Sequence, residues 1–222
     1  LEFNPQHEKT LAELEDLLEG EEYREKAAIL LEPLYVAASQ IDKQIHLVER
    51  LLEIAVEPDR KVQFLRKLAG IHESRGDLKN AFVYWGLLLR ENPADTEVEA
   101  QLFRVAAMGP FWQDLVELLD AIAEDVYDIA LRKHLVLKIA ELYEISLEDS
   151  IKAISALQKG LDAVPGDQDL LTQLDRLLTE TQNFKALQEV LRTEADVSEG
   201  HAKAQFLYRL GALLLHSFEQ GE

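Results

Sequence analysis

Apolar residues recur along nearly the whole chain at intervals of three and four positions. This interval places them on one face of an α-helix, whereas a half-buried strand would alternate at every second position. Examples of the pattern are Leu11, Leu14, Leu17 and Leu18; Val62, Leu65, Leu68, Ala69 and His72; and Leu135, Ile139, Ala140 and Tyr143. β-Branched residues are scattered, and no Asn-Gly or Asp-Gly hairpin turn occurs. The pattern therefore predicts an all-α protein.

Glycine and proline, of which the chain has ten and six, divide the apolar stripes into about twelve helices. The predicted helices span 6–19, 22–38, 41–56, 59–75, 78–91, 95–108, 111–125, 128–146, 149–163, 167–180, 183–196 and 199–218. Pro33 is the exception, because it lies inside a helical pattern. Since proline lacks an N–H and its ring clashes with the preceding turn, we expect Pro33 to kink or split helix 22–38.

A two-residue signature recurs in every second predicted helix. It stands at Leu31-Glu32, Leu68-Ala69, Leu102-Phe103, Ile139-Ala140, Leu174-Asp175 and Leu210-Gly211, at steps of 37, 34, 37, 35 and 36 residues. Near-equal steps of this length are typical of repeat proteins in which each helical hairpin packs on its neighbours. The N-terminal register has two solutions. Helix 22–38 is either the second helix of a first repeat or the first helix of the next repeat, paired with 41–56.

The stretch from residue 65 to residue 93 resembles the tetratricopeptide repeat (TPR). It contains, in order, Leu65, Leu68, Ala69, His72, the turn Gly76-Asp77, Ala81, Trp85, Leu88 and Pro93. In weaker form the resemblance covers nearly the whole chain, although Phe103 and Asp175 depart at the small position. It implies a right-handed α-solenoid of antiparallel helix hairpins, forming a single domain over residues 1–222. HEAT-like and other hairpin arrays remain an alternative.

The last predicted helix, 199–218, has the first-helix signature but no predicted partner after it. Leu213, Leu214 and Leu215 are consecutive, so apolar side chains face more than one side. A capping helix has a polar outer face instead. The chain also starts at Leu1 and has its one methionine at Met108. We therefore expect a fragment of a longer protein with further repeats.

The chain is strongly acidic, with 42 acidic and 23 basic residues and a formal charge of -19. Such a surface repels phosphate backbones and favours a basic protein partner, so no nucleic-acid partner is expected. The absence of cysteine excludes disulfides and thiolate metal sites. The apolar runs are shorter than the roughly 18 residues of a membrane helix, so membrane insertion is not expected. The compartment stays open, with the cytoplasm preferred to the periplasm.

No nucleotide-binding, hydrolase or metalloprotease motif occurs in the chain. His46 and Glu49 share a helix face, but two ligands do not make a metal site. Arg75, Gly76 and Asp77 spell an integrin-recognition tripeptide, yet a tight turn with a left-handed glycine is the simpler interpretation. We expect no enzymatic activity, no cofactor and no metal.

Several large and small residues are explained by packing. Trp85 and Trp112 occupy positions that face neighbouring helices in the repeat. Glycines in helix interiors reduce helix stability by up to about 1 kcal/mol. We expect them to allow close approach of two helices at Gly70, Gly86, Gly160 and Gly211.

The TPR resemblance implies that a protein or peptide partner binds in a concave groove lined by the first helix of each repeat. The residues predicted to line this groove are Gln63, Arg66, Arg104, Met108, His134, Glu141, Arg176 and Tyr208. Arginines there would bind carboxylates or backbone carbonyls of an extended peptide. Pairing of the same arginines with neighbouring glutamates is the simpler interpretation.

A second candidate surface is an acidic stripe on helix 111–125. Asp114, Glu117, Asp120 and Glu124 lie near one face of this helix, and no Lys or Arg occurs between Arg104 and Arg132. Such a stripe suits a basic partner segment, although a merely solvated face has the same pattern.

These features favour a protein–protein interaction scaffold or adaptor that binds a peptide or helix in its groove. Two alternatives are a structural spacer and a regulatory subunit or domain of an enzyme. A groove lined by unpaired polar and apolar side chains would favour the scaffold, and tight side-chain pairs would favour the spacer. A deep pocket with convergent titratable groups would favour the enzyme.

Overall fold

A computed structural model describes residues 8–20 and 22–220, and the described residues form twelve α-helices and no strand. The helices are α1 Glu8–Glu19, α2 Arg24–Ala37, α3 Ile41–Glu53, α4 Pro58–Arg75, α5 Leu78–Glu91, α6 Thr96–Met108, α7 Trp112–Asp125, α8 Ile129–Glu141, α9 Ser150–Ala163, α10 Gln168–Glu180, α11 Phe184–Val197 and α12 Gly200–Gln220. A π-helical turn, Leu142–Ser146, continues α8. The predicted all-α class is confirmed, and every predicted helix is present.

Short polar side chains define where several helices begin. The side chains of Asp77, Asp95, Asp128, Asp149, Asp167 and Asn183 accept hydrogen bonds from backbone N–H groups of the first turn that follows. Such a bond satisfies a donor that has no partner inside the helix. Gly76 ends α4 in the left-handed conformation, with φ 78°, as predicted for the turn that contains Arg75 and Asp77.

The chain divides into two compact units, Leu1–Phe111 and Trp112–Glu222. In each unit, helices pack mainly on their sequence neighbours, which is the arrangement expected within a solenoid. The first unit has a leucine-rich core that includes Leu31, Leu47 and Leu68. The core of the second unit includes Leu157 and Leu174. The single domain over residues 1–222 stays a prediction.

Ion pairs link helices that are two apart in the chain. In the first unit, Glu25 on α2 pairs with Arg60 on α4 at 2.7 Å, and Glu15 on α1 pairs with Lys43 on α3 at 2.5 Å. Even-numbered and odd-numbered helices therefore form two rows within this unit. Since α2 stands in the row of α4, this arrangement favours the register in which helix 22–38 is the first helix of a hairpin with 41–56. We call the even-numbered helices first helices and the odd-numbered ones second helices.

Pro33 does not split its helix, because α2 runs without interruption from Arg24 to Ala37. Proline deprives the carbonyl four residues earlier, that of Ile29, of its helical hydrogen bond. Pro33 is exposed and Ile29 is 65% exposed. This face of α2 is open to water, which agrees with a helix that continues past the proline.

Close helix approach explains only some of the interior glycines. A Cβ atom on Gly160 would lie 2.6 Å from Cγ1 of Val136, so the predicted close approach is confirmed there. No described atom lies within 4 Å of a Cβ placed on Gly70 or Gly211. The prediction is wrong for these two positions, where the neighbouring space is open.

Alanine substitutions should separate these two kinds of glycine. Gly70→Ala should raise the free energy of unfolding by about 0.5 to 1 kcal/mol, because alanine restricts the unfolded chain and favours the helix. Gly160→Ala should lower it by about 1 kcal/mol, because the clash with the branched side chain of Val136 outweighs the same helix gain. Urea unfolding followed by circular dichroism measures both changes. A destabilising Gly70→Ala or a stabilising Gly160→Ala would contradict this assignment.

No helix among residues 8–20 and 22–220 is long and apolar enough to cross a membrane.

Candidate partner-binding site

The residues predicted to line the groove all lie on first helices and are exposed or half-buried. Gln63 and Arg66 on α4 and Arg104 and Met108 on α6 belong to the first unit, and His134 and Glu141 on α8, Arg176 on α10 and Tyr208 on α12 belong to the second. They therefore form two separate sets.

In the first unit, the two predicted arginines are bound to carboxylates of the neighbouring first helix or its cap. Nη2 of Arg66 lies 3.1 Å from Oδ2 of Asp95. Nη2 of Arg104 lies 2.5 Å from Oε2 of Glu73, and Oε1 of Glu73 accepts a hydrogen bond of 2.6 Å from Nε1 of Trp85. Both arginines thus connect α4 with the region of α6. Tight pairs of this kind agree with the simpler interpretation of the sequence, in which the groove arginines pair with neighbouring acidic residues.

The side chains around these two ion pairs differ in their exposure. Met108 is 58% exposed and its sulfur lies 3.4 Å from Nη1 of Arg104. Gln63 is exposed on α4. Trp85 is buried, with 8% of its surface exposed, which confirms its predicted packing role. Trp112 is half-buried.

In the second unit, Arg176 forms a two-pronged pair with Glu144. Nη1 and Nη2 of Arg176 each lie 2.7 Å from one oxygen of Glu144, and Glu180 adds a contact of 3.2 Å. The hydrogen bond from Arg176 holds the pKa of the Glu144 carboxyl below its usual value. The pair joins the π-helical turn after α8 to α10.

A cavity of about 490 Å3 opens beside this pair, between α8 and α10. Its lining residues are Leu137, Ala140, Glu141, Glu144, Ile145, Leu157, Gln173, Arg176 and Leu177. Two of the predicted groove residues, Glu141 and Arg176, are therefore brought together. Apolar side chains form much of the cavity wall, and charged and amide groups surround them. We refer to this cavity as the α8–α10 groove.

The most exposed apolar residue of the α8–α10 groove was missed by the sequence analysis. Ile145 has 67% of its surface exposed and lies in the π-helical turn. A π turn inserts an extra residue and changes the direction of the side chains that follow. The sequence shows only that Ile145 lies outside the apolar stripe that includes Ile139 and Tyr143, and this does not predict a π turn.

Two further predicted residues lie elsewhere in the second unit. His134 is half-buried on α8 and is not among the residues that line the α8–α10 groove. Tyr208 has 79% of its surface exposed and borders a different cavity of about 440 Å3, together with His201 and Phe206. The structure therefore does not join these two side chains to Glu141 and Arg176.

The acidic stripe is exposed on α7 but is partly neutralised. Nζ of Lys159 on α9 lies 2.9 Å from Oδ1 of Asp120 and 2.8 Å from Oε1 of Glu124. The bond to Asp120 is the main reason that the pKa of Lys159 is raised. Asp114 and Glu117 are exposed and make no ion pair with a described residue.

The other sequence motifs have simple structural explanations. His46 faces Glu19 on α1, at 2.9 Å. Arg75 pairs with Asp42. Asp77 caps the N-terminus of α5 and also lies 3.1 Å from Nδ1 of His72. Among the described residues, no three His, Asp or Glu side chains are placed to hold a metal ion.

A buried acidic pair lies between the last three helices. Asp175 on α10 and Glu194 on α11 are 8% and 5% exposed. Arg209 on α12 binds both oxygens of Asp175, at 2.5 and 2.7 Å. Burial, and then the charge of Asp175, raise the pKa of Glu194 to about 7. The sequence showed only that Asp175 stands where a small residue is usual.

Comparisons with known proteins leave the family open. No protein-family model matches the chain, and no curated protein matches it. One similar solved structure is BtubC (BKLC) from P. vanneervenii, with 14% sequence identity over 94% of this chain and 88% of that chain, and a TM-score of 0.34. Similarity at this level carries no argument about the fold or the function.

Proposed function

We propose that the protein is a scaffold or adaptor that binds a peptide or helix of a partner protein on its first helices. The observation that carries this proposal is the α8–α10 groove, where predicted residues Glu141 and Arg176 lie beside exposed Ile145. Its volume of about 490 Å3 lies within the range of roughly 300 to 1,000 Å3 of protein ligand sites. Membership of the TPR family, and the absence of enzymatic activity, belong to the same proposal.

The groove offers two kinds of contact to a peptide. Half-buried Leu137 and exposed Ile145 present apolar surface to an aliphatic or aromatic side chain. Gln173 and the carboxylate of Glu141 offer hydrogen bonds at the margin. Glu141 has an ion pair with Lys138 at 3.1 Å, and such exposed pairs contribute about 0 to 1 kcal/mol. A partner can therefore replace such an ion pair by its own contact at a small cost in free energy. Burial of an apolar anchor supplies most of the affinity.

Selection of peptides from a phage-displayed library tests this function. Wild-type protein should enrich peptides that share an apolar anchor, and Ile145→Glu should reduce their binding at least about tenfold, since it places a charge against the anchor. Ile151→Glu is the matched control. Ile151 is 80% exposed on α9 and does not line the groove, so the peptides should still bind. Peptides bound equally by both variants would place the binding surface elsewhere.

A structural spacer is the second candidate function. It is favoured by the ion pairs that join successive first helices, such as Glu73 with Arg104 and Glu144 with Arg176. These pairs occupy the arginines that a peptide would otherwise use. The same selection separates the two functions, because a spacer would enrich no peptide above an unrelated acidic protein.

A further inference from the structure

A second groove runs between α7 and α9, with α8 as its floor. It consists of two adjoining cavities of about 230 and 150 Å3, which share Asp120, Ile139, Ala156 and Lys159. Val136 and Ile139 of α8 line the larger cavity. The α8–α10 groove is lined by other residues of α8, namely Leu137, Ala140 and Glu141. The two grooves therefore use different faces of α8. We call the second one the α7–α9 groove.

Small residues keep the α7–α9 groove open. The wall of the larger cavity contains Ala123 of α7 and Ala156, Gly160 and Ala163 of α9. Side chains of this size leave the space above Val136 and Ile139 unfilled. Gly160 also lets α9 approach α8 so closely that a Cβ atom at this position would lie 2.6 Å from Cγ1 of Val136. The wall of the cavity is consequently mostly apolar. The cavity itself is about the size of one or two aliphatic side chains.

Lys159 crosses the groove between the two cavities. Its ammonium group reaches from α9 to Asp120 and Glu124 on α7, at 2.9 and 2.8 Å. Because the side chain of Lys159 is 54% exposed, this pair contributes about 0 to 1 kcal/mol. A cation supplied from outside can replace it at little cost, and the two cavities then form one continuous groove.

The charges around the groove determine what fits it. On the α7 side stand Asp114, Glu117, Asp120 and Glu124, with Asp125 at the end of the helix. Few basic side chains line the α7–α9 groove. Besides Lys159, Arg132 donates to the carbonyl of Val126, and Lys152 lies against Asp149 and over the ring of Tyr143. The margin remains acidic and complements a basic segment.

We propose that the α7–α9 groove binds a basic amphipathic helix of a partner protein. An aliphatic side chain of this helix enters the larger cavity against Val136 and Ile139. A Lys or Arg one helical turn away takes the place of Lys159 on Asp120 and Glu124. Residues three and four apart lie on the same face of a helix, so one helix can present both groups. This site is independent of the α8–α10 groove.

A pair of designed peptides provides the probe. One is a helix of roughly 15 residues, a length at which isolated helices become stable, with leucines on one face and lysines one turn from each leucine. The other has glutamate in place of every lysine. Fluorescence anisotropy should show binding of the lysine peptide and at least about tenfold weaker binding of the glutamate peptide. Equal binding of the two peptides would overturn the proposal.

Four variants locate the binding. Ala156→Leu fills the groove without changing charge and should abolish binding of the lysine peptide. Asp120→Asn should weaken it about fivefold, because a charged hydrogen bond of about 1 kcal/mol is lost. Lys159→Met should strengthen it about threefold, since the competing ammonium is removed, and a misfolded variant cannot produce this gain. Asp162→Asn, at an exposed position on α9, is the matched charge control and should bind as the wild type.

The results also separate this site from the proposed scaffold groove. Ile145→Glu lies outside the α7–α9 groove and should leave binding of the lysine peptide unchanged. Wild-type affinity in Ala156→Leu, or equal losses in Asp120→Asn and Asp162→Asn, would show attraction by overall charge alone and would overturn the proposal. Failure of the phage selection would leave the result of this titration unaffected.

Discussion

Between pH 5 and pH 8, the free energy of unfolding of Glu194→Gln should rise by about 2 kcal/mol relative to that of the wild type. The usual pKa of a glutamate is 4.5, and that of Glu194 in the folded protein is about 7. Between these values the folded state retains a proton that the unfolded state has lost. Stability conferred by Glu194 is therefore complete below pH 4.5, falls as the pH rises, and is lost above pH 7.

The physical cause lies in the packing of α10, α11 and α12. Glu194 is buried beside the Asp175 carboxylate, and Arg209 binds Asp175 with both of its terminal nitrogens. One guanidinium cannot neutralise two buried carboxylates, so ionising Glu194 leaves an excess negative charge in a poorly hydrated place. The neutral form of Glu194 carries no charge, and hydrogen bonding with Asp175 also favours this protonated form. A glutamine amide keeps a donor there and never ionises.

Urea unfolding at pH 5 and pH 8, followed by far-UV circular dichroism, measures this effect. Glu189→Gln is the matched control, because Glu189 lies on the same helix and pairs with Arg192 on its exposed surface, at 2.7 Å. The control should change stability by less than about 0.5 kcal/mol at either pH. Parallel pH dependence in Glu194→Gln and the wild type would contradict the assigned pKa.

Leu157→Ala should lower the free energy of unfolding by about 3 kcal/mol. Leu157 on α9 is fully buried, with 0% of its surface exposed, in the core of the second unit. Truncation removes the transfer free energy of the lost methyl and methylene groups and leaves a cavity that the surrounding leucines fill only in part. Neighbours such as Leu174 are held by their own helices and cannot follow the shortened side chain.

A second substitution on the same helix is the control for Leu157→Ala. Ile151 is 80% exposed at the start of α9, so Ile151→Ala should change stability by less than about 0.5 kcal/mol. The urea midpoints of both variants provide the comparison. Alanine favours the helix at both positions, so a loss of similar size in the two variants would contradict the assignment of Leu157 to the core and of Ile151 to the surface.

The sequence predicted the helices well because the signals for them are local. Stripes such as Leu65, Leu68 and Ala69 depend only on residues within two turns, and Gly76 ends its helix through its own backbone. The alternating rows of helices also follow from the repeat spacing. The π-helical turn has no such signal, since Leu142 to Ser146 differ little from an ordinary helical segment. Its effect on Ile145 was consequently missed.

The candidate sites were predicted less well, because they depend on contacts between distant residues. Lys159 binds Asp120 across 39 positions of sequence, and its presence changes an acidic stripe into the margin of a groove. The partner of Arg104, Glu73, lies 31 positions away. Neither contact can be assigned until the first and second helices are placed in their rows. Composition alone gave the sign of the surface charge but not where that charge is compensated.

The ion pairs between helices two apart also have a mechanical consequence. When a unit is stretched along its succession of helices, the distance between alternate helices increases, and pairs such as Glu25 with Arg60 and Glu144 with Arg176 are extended first. Attraction between exposed charges is weakened by dissolved salt, since the screening length shortens to about 3 Å at 1 M. The leucine core is not weakened in this way. We therefore expect each unit to resist small extensions less at high ionic strength, whereas rupture still requires separation of its apolar core.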